Sequence, residues 1–316
     1  MTINDTLFNI INYFHKDKNF NRVTFGLHSS PTALKTIIRW RLTDFLLLVV
    51  LTGLYFFAYA LKPFQRQFYI NDLTISHPFA EHERVTGTQL FVYATWFPLT
   101  LLVAFSLVFT KPKYKIYVAY VSALGLLLAV TSTSVFTDIV KNHIGRHRPD
   151  FLARCIPKEG TPKDVLVYAK DVCTTDNLDR LYDGFRTTPS GHSSISFAGL
   201  FYTSLWLSGQ LVVKNELVGS WRTIVSWIPA FGALLIALSR TEDYRHHFVD
   251  VIIGSIIGIT IGSWSYFRLF PSLDSSRSYY PLLIVKEIQE EEEEDKGGEL
   301  QEHLTDINYS RIRETV

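Results

Sequence analysis

Residues 116–149 read IYVAYVSALGLLLAVTSTSVFTDIVKNHIGRHRP, and the change of character at Lys141 sets the architecture. Ile116–Val140 holds one acidic or basic side chain, Asp138. It is long enough to cross a bilayer, for which ~20 predominantly apolar residues suffice. The next nine residues carry Lys141, His143, Arg146, His147 and Arg148. Working outward, five further stretches are apolar and long enough, or nearly so, to span: Phe45–Leu61, Leu90–Phe109, Ser193–Val213, Ile224–Leu238 and Phe248–Phe267. Pro98 and Pro229 fall inside two of them and are tolerated where neighbouring helices satisfy the freed backbone groups. Gly254, Gly258 and Gly262 recur every four residues in the last, which is helix-packing spacing. The expectation is an all-α polytopic membrane protein of six transmembrane helices.

An even number of spans puts both termini on one side. The connections 110–115 and 214–223 share that side, and segments 62–89, 141–192 and 239–247 lie opposite. Lys111, Lys113 and Lys115 mark the first side as cytoplasmic. The chain then divides into a cytoplasmic segment 1–44, a membrane domain 45–270 with its non-cytoplasmic loop 141–192, and an acidic tail 271–316. The tail holds Glu290–Glu294 and Asp295 and is expected to be solvated and disordered. Sequons at Asn4 and Asn308 fall on the cytoplasmic side and are expected to stay unmodified. Residues 1–39 have no signal-peptide apolar core. A net charge of +1 argues against a nucleic-acid partner.

Three clusters carry the chemistry. KNHIGRHRP (141–149) places Lys141 and Arg148 two turns apart on one face if the helix runs on, with Pro149 helping to stop it. TPSGHSS (188–194) puts Ser190 and Gly191 at a helix start, where free N–H groups favour an anion, with His192 beside them. SRTEDYRHHFVD (239–250) spaces His246 and Asp250 four apart, so that a carboxylate orients an imidazole, with Arg240 nearby. In the six-span arrangement all three clusters meet at the non-cytoplasmic membrane face. So many cations around a helix N-terminus imply a phosphate site. From the residues alone, His246 and its neighbour His247 are equal candidates.

These clusters match, in order and spacing, the three-part signature of the type 2 phosphatidic acid phosphatase superfamily: KxxxxxxRP, PSGH and SRxxxxxHxxxD. The stretches RQFYINDLTISHPF, RPDFLARC, GFRTTPSGHSS and LSRTEDYRHHFVDV most resemble the fungal diacylglycerol pyrophosphate phosphatases. The resemblance implies a metal-independent, cofactor-free lipid phosphate phosphatase of the vacuolar membrane. In it His246 attacks phosphorus, Asp250 orients His246, and His192 serves as acid and then base. Lys141, Arg148, Ser190, Gly191 and Arg240 hold the phosphoryl oxygens. The implied substrates are diacylglycerol pyrophosphate and phosphatidate, drawn from the bilayer. The same chemistry would serve a sphingoid-base or isoprenoid phosphate phosphatase, and a silent lipid-binding or transport relative would keep the fold. His143 and His147 have zinc-ligand spacing, but the surrounding Lys141, Arg146 and Arg148 repel a cation, so no metal site is expected. Cys155 and Cys173, the only cysteines, share the 141–192 loop and are expected to be bridged in an oxidising compartment.

Overall fold

A computed structural model describes residues 36–296; the two sequons and the chain beyond 296 lie outside the described residues. The chain falls into two compact units, one ending at Leu47 and one beginning at Leu48. The first is described from a helical turn at 36–39 into the start of a long helix, with Arg41 and Asp44 paired at 3.4 Å.

The long helices are α1 (Leu42–Ala60), α2 (Gly87–Phe109), α3 (Lys115–Ile144), α7 (Gly191–Gln210), α8 (Trp221–Glu242) and α9 (Phe248–Leu269). Three short helices, α4 (Phe151–Cys155), α5 (Ala169–Val172) and α6 (Leu178–Asp183), lie in the connection between α3 and α7. No β-strand occurs among the described residues, only isolated bridges such as Phe68 with Val167. Among the described residues five helices are long and apolar enough to cross a membrane: α1, α2, α3, α8 and α9. The stretch expected as the fourth span, α7, is equally long but carries Ser193, Ser194, Ser196, Thr203, Ser204 and Ser208, all buried. It packs mainly against α9 and α8, then α3. Surrounded by protein, it can bond its hydroxyls locally, as Thr203 and Ser208 do to carbonyls one turn back.

The α7–α9 contact is made by the glycines the sequence singled out. A Cβ at Gly254 would meet the Ser190 carbonyl oxygen at 2.5 Å, and one at Gly258 that of Ser194 at 2.2 Å. Gly258→Ala should therefore push the two helices apart, lowering stability by ~1–3 kcal/mol. Thermal unfolding in detergent checks this, and a wild-type midpoint would contradict the packing. Gly199 brings α7 equally close to the Ala94 carbonyl, inside a π turn at Val92–Trp96. That turn precedes Pro98, and widened turns of this kind relieve a missing N–H. Beside Pro229 of α8, the Ala230 N–H donates to Ser204 Oγ at 2.9 Å.

One expectation needs correction. The helix carrying Lys141 does not continue to Arg148: Gly145, at φ 60°, ends α3 in the left-handed region, and a Cβ there would strike the Phe64 carbonyl oxygen. The acidic tail is described only as far as residue 296. Residues 282–296 form a helix, α10, in which Glu291 meets Lys113 at 2.6 Å and Glu292 meets Arg277. Cys155 and Cys173 form a disulfide with Cα atoms 4.7 Å apart.

Candidate active site

The three clusters come together at one end of the helical bundle. Lys141 projects from the last turn of α3, its Nζ 3.0 Å from where a Cβ of Gly191 would lie. Ser190 caps α7 and accepts from the Ser193 N–H and hydroxyl, while its own N–H donates to the Asp250 carbonyl oxygen at 3.0 Å. The chain turns at the end of α8 so that the Arg245 and His246 N–H groups both donate to the Arg240 carbonyl. Lys141, Arg148, Ser190, Arg240, His246 and Asp250 are all buried, and His192 is partly so.

His246 is buried, and its Nδ1 bonds the Thr187 carbonyl oxygen at 2.8 Å. A carbonyl can only accept, so Nδ1 carries the proton and Nε2 keeps its lone pair. Burial, reinforced by the charges of Arg148 and Lys141 and by His192 and Arg240, holds the imidazole pKa well below its ordinary value. At neutral pH the imidazole is therefore uncharged.

The expected pairing of His246 and Asp250 on one helical face is not what forms. His246 lies before α9, whose N-cap is His247. The Asp250 carboxylate accepts from the His247 N–H at 2.9 Å, from Thr187 Oγ1 at 2.8 Å and from Thr188 Oγ1, and it faces Arg146 at 3.1 Å. It reaches His246 at one remove, through the Thr187 hydroxyl 3.2 Å from Nδ1. The structure thus separates the adjacent histidines: His247 caps a helix with its Nε2 on the Thr74 carbonyl, and His246 faces the cations.

The cations are held by acids that sequence reasoning missed. Arg148 donates through Nε and Nη2 to the Asp183 carbonyl and carboxylate, at 2.9 and 2.7 Å. Arg154, 1% exposed at its side chain, ties Asp183 to Asp150. Burial alone would raise the Asp183 pKa, but Arg148, Arg154 and Lys141 pull it down to about 2. Arg240 spreads its fork over Ser239 Oγ, Glu83 and Asp243, the last two at 2.7 Å. Glu83 also meets Arg245 at 3.0 Å. Two residues along, the Val85 carbonyl accepts from His192 Nε2 at 3.0 Å. Segment 62–89, placed by the sequence on the same face as the three clusters, therefore supplies a carboxylate and a carbonyl to the site itself. Only its mix of charge and aromatics signalled this; Glu83 and Arg240 pair across 157 residues.

His143 and His147 have separate attachments. His143 bonds the Ile139 carbonyl, and His147 bonds the Arg66 carbonyl among Phe68, Phe151 and Phe185. Burial holds the His147 pKa down to about 4.

Residues 122–272 match the family model described as the PAP2 superfamily. The chain is 52% identical over 273 residues to diacylglycerol pyrophosphate phosphatase 1 of Saccharomyces cerevisiae, covering 86% of this chain and 93% of that one. It is 41% identical to the probable diacylglycerol pyrophosphate phosphatase 1 of Schizosaccharomyces pombe, covering 73% and 82%. It is 32% identical to lipid phosphate phosphatase 2 of Arabidopsis thaliana, covering 79% and 84%. No solved structure matches it significantly.

Proposed function

The chain belongs to the PAP2 superfamily, and from that premise we propose that it hydrolyses diacylglycerol pyrophosphate to phosphatidate, and phosphatidate to diacylglycerol, through a phosphohistidine. The observation that carries this reading is a buried, neutral His246 with a free Nε2, set among Lys141, Arg148, Arg240 and His192.

The terminal phosphoryl group sits against Lys141, Arg148 and Arg240, with Ser190, Gly191 and the first turn of α7 taking the remaining oxygens. His246 Nε2 attacks phosphorus as the bridging P–O bond breaks, and the electron pair leaves on the lipid oxygen. His192, its Nε2–H held by the Val85 carbonyl, relays through Nδ1 the proton that the phosphoryl group brings in, giving it to that oxygen where one is needed. It then takes a proton from water as the water attacks the phosphohistidine, freeing inorganic phosphate and His246. Asp250 is a positioning residue: it fixes Thr187, whose carbonyl fixes the His246 tautomer.

The reading extends to six spans, with α7 as the fourth in chain order, and to a site on the non-cytoplasmic face of a vacuolar membrane. Two features support the orientation. The disulfide lies in the connection beside the site, as an oxidising compartment favours. The lysines at 111, 113 and 115 lie at the other end of α3.

Because fixed cations supply the charge stabilisation, phosphate release should be unchanged by chelator. The test is purified protein in mixed micelles with a panel of diacylglycerol pyrophosphate, phosphatidate, sphingoid-base and isoprenoid phosphates, with EDTA present. Release from the first two supports the reading. A strict requirement for added magnesium would refute it.

A further inference from the structure

At the end of the bundle opposite the histidines lies a cavity, ~40 Å from Lys141 along α3 at ~1.5 Å per residue. Its volume is about 520 Å³, and it opens between the ends of α2 and α7, the start of α8 and the chain before α10. The walls are aromatic: Phe105, Phe109, Trp221, Tyr279 and Tyr280. The charges are of one sign, Lys111 and Arg222, and among the described residues no Asp or Glu lines it.

Arg222 is fixed in place. Its Nη1 donates to the Leu211 carbonyl at 3.1 Å and its guanidinium lies 5.6 Å from the Trp221 ring centroid. Its Nε is buried and meets no hydrogen-bond acceptor. Held by that carbonyl and ring, the guanidinium keeps a fixed cation at the cavity wall. The acidic run of α10 lies near, but Glu291 is engaged by Lys113 and Glu292 by Arg277. The local acids thus neutralise the neighbouring cations and leave Lys111 and Arg222 to something else.

The aromatic wall says what that is. Phe109 is 72% exposed and Trp221 59%, both at the ends of helices long and apolar enough to span. Aromatic rings mixed with Lys and Arg at helix ends are the arrangement of a membrane interface, where anionic headgroups concentrate basic side chains. A water-soluble phosphate would gain nothing from that flank. We propose that this cavity binds the headgroup of an anionic phospholipid. Lys111 and Arg222 hold its phosphate, and the aromatic wall receives its glycerol and upper acyl chains. The site is separate from the catalytic one.

The probe is phosphatidylglycerol, a phosphodiester without a terminal phosphate to cleave, compared with phosphatidylcholine. Retention of each by the purified full-length protein is read by intact-complex mass spectrometry from micelles. Wild type should retain phosphatidylglycerol in preference. The Lys111→Gln, Arg222→Gln double variant should bind it roughly 30-fold more weakly, and Lys111→Gln alone, at an exposed side chain that leaves the fold untouched, roughly 5-fold more weakly. Phosphatase rates of both variants in micelles should equal wild type. Equal retention by wild type and Lys111→Gln, equal retention of phosphatidylcholine, or displacement by millimolar inorganic phosphate would each overturn the assignment.

Discussion

Replacing His246 with alanine is expected to abolish turnover of diacylglycerol pyrophosphate and phosphatidate alike, by at least ~10⁴-fold. The residue combines features rarely found together. Its tautomer is fixed by the Thr187 carbonyl at 2.8 Å, and burial, reinforced by the surrounding cations, keeps it unprotonated. No neighbour can replace it: the adjacent His247 is turned away as a helix cap, with Asp250 on one ring nitrogen and the Thr74 carbonyl on the other. The variant loses one hydrogen bond, worth ~1 kcal/mol, so a fold-related loss is separable by thermal unfolding. Substantial activity in a folded His246→Ala protein would remove the nucleophile assignment.

His192→Ala is expected to be nearly as damaging, and differently for the two substrates. Phosphatidate must expel an alkoxide, a very poor leaving group without a proton, so loss of the acid blocks the first step, with a loss of ~10²–10⁴. Diacylglycerol pyrophosphate expels a phosphate monoester, whose second pKa is ~6, and needs little protonation. There the first step survives and the second, which needs a base for water, stalls. Steady-state release falls for both, but a burst of about one phosphatidate per enzyme should remain for the diphosphate alone. Absence of that burst, or equal single-turnover rates for both lipids, would assign His192 another role.

Much of this site was legible because its residues sit at the ends of apolar spans, where ionisable groups are costly and few. Lys141 lies in the last turn of α3, α7 opens at Ser190 and His192, and α9 opens beside His246. Spacing alone misled where the backbone departed from a helix. Counting seven residues from Lys141 to Arg148 assumed helix through Gly145, which adopts φ 60° instead. Counting four from His246 to Asp250 assumed a helix that begins only at Phe248. The hidden partners, Glu83, Asp183 and Thr187, were invisible for a different reason. Their pairings cross long stretches of chain, and single acids or threonines in polar loops carry no periodicity. Of the six expected spans, α7 is the one not among the helices apolar enough to cross a membrane, and its serines are buried in protein.

The most direct test uses diacylglycerol pyrophosphate labelled with ³²P in the terminal phosphate. The enzyme is mixed with it in the presence of EDTA, quenched within one turnover in base, and digested for peptide mapping. Label should appear as an acid-labile, base-stable phosphoramidate on the peptide carrying His246, and it should vanish in His246→Ala. Label that leaves as inorganic phosphate with none ever bound to protein, or that requires a divalent metal to be released, would contradict the phosphohistidine route.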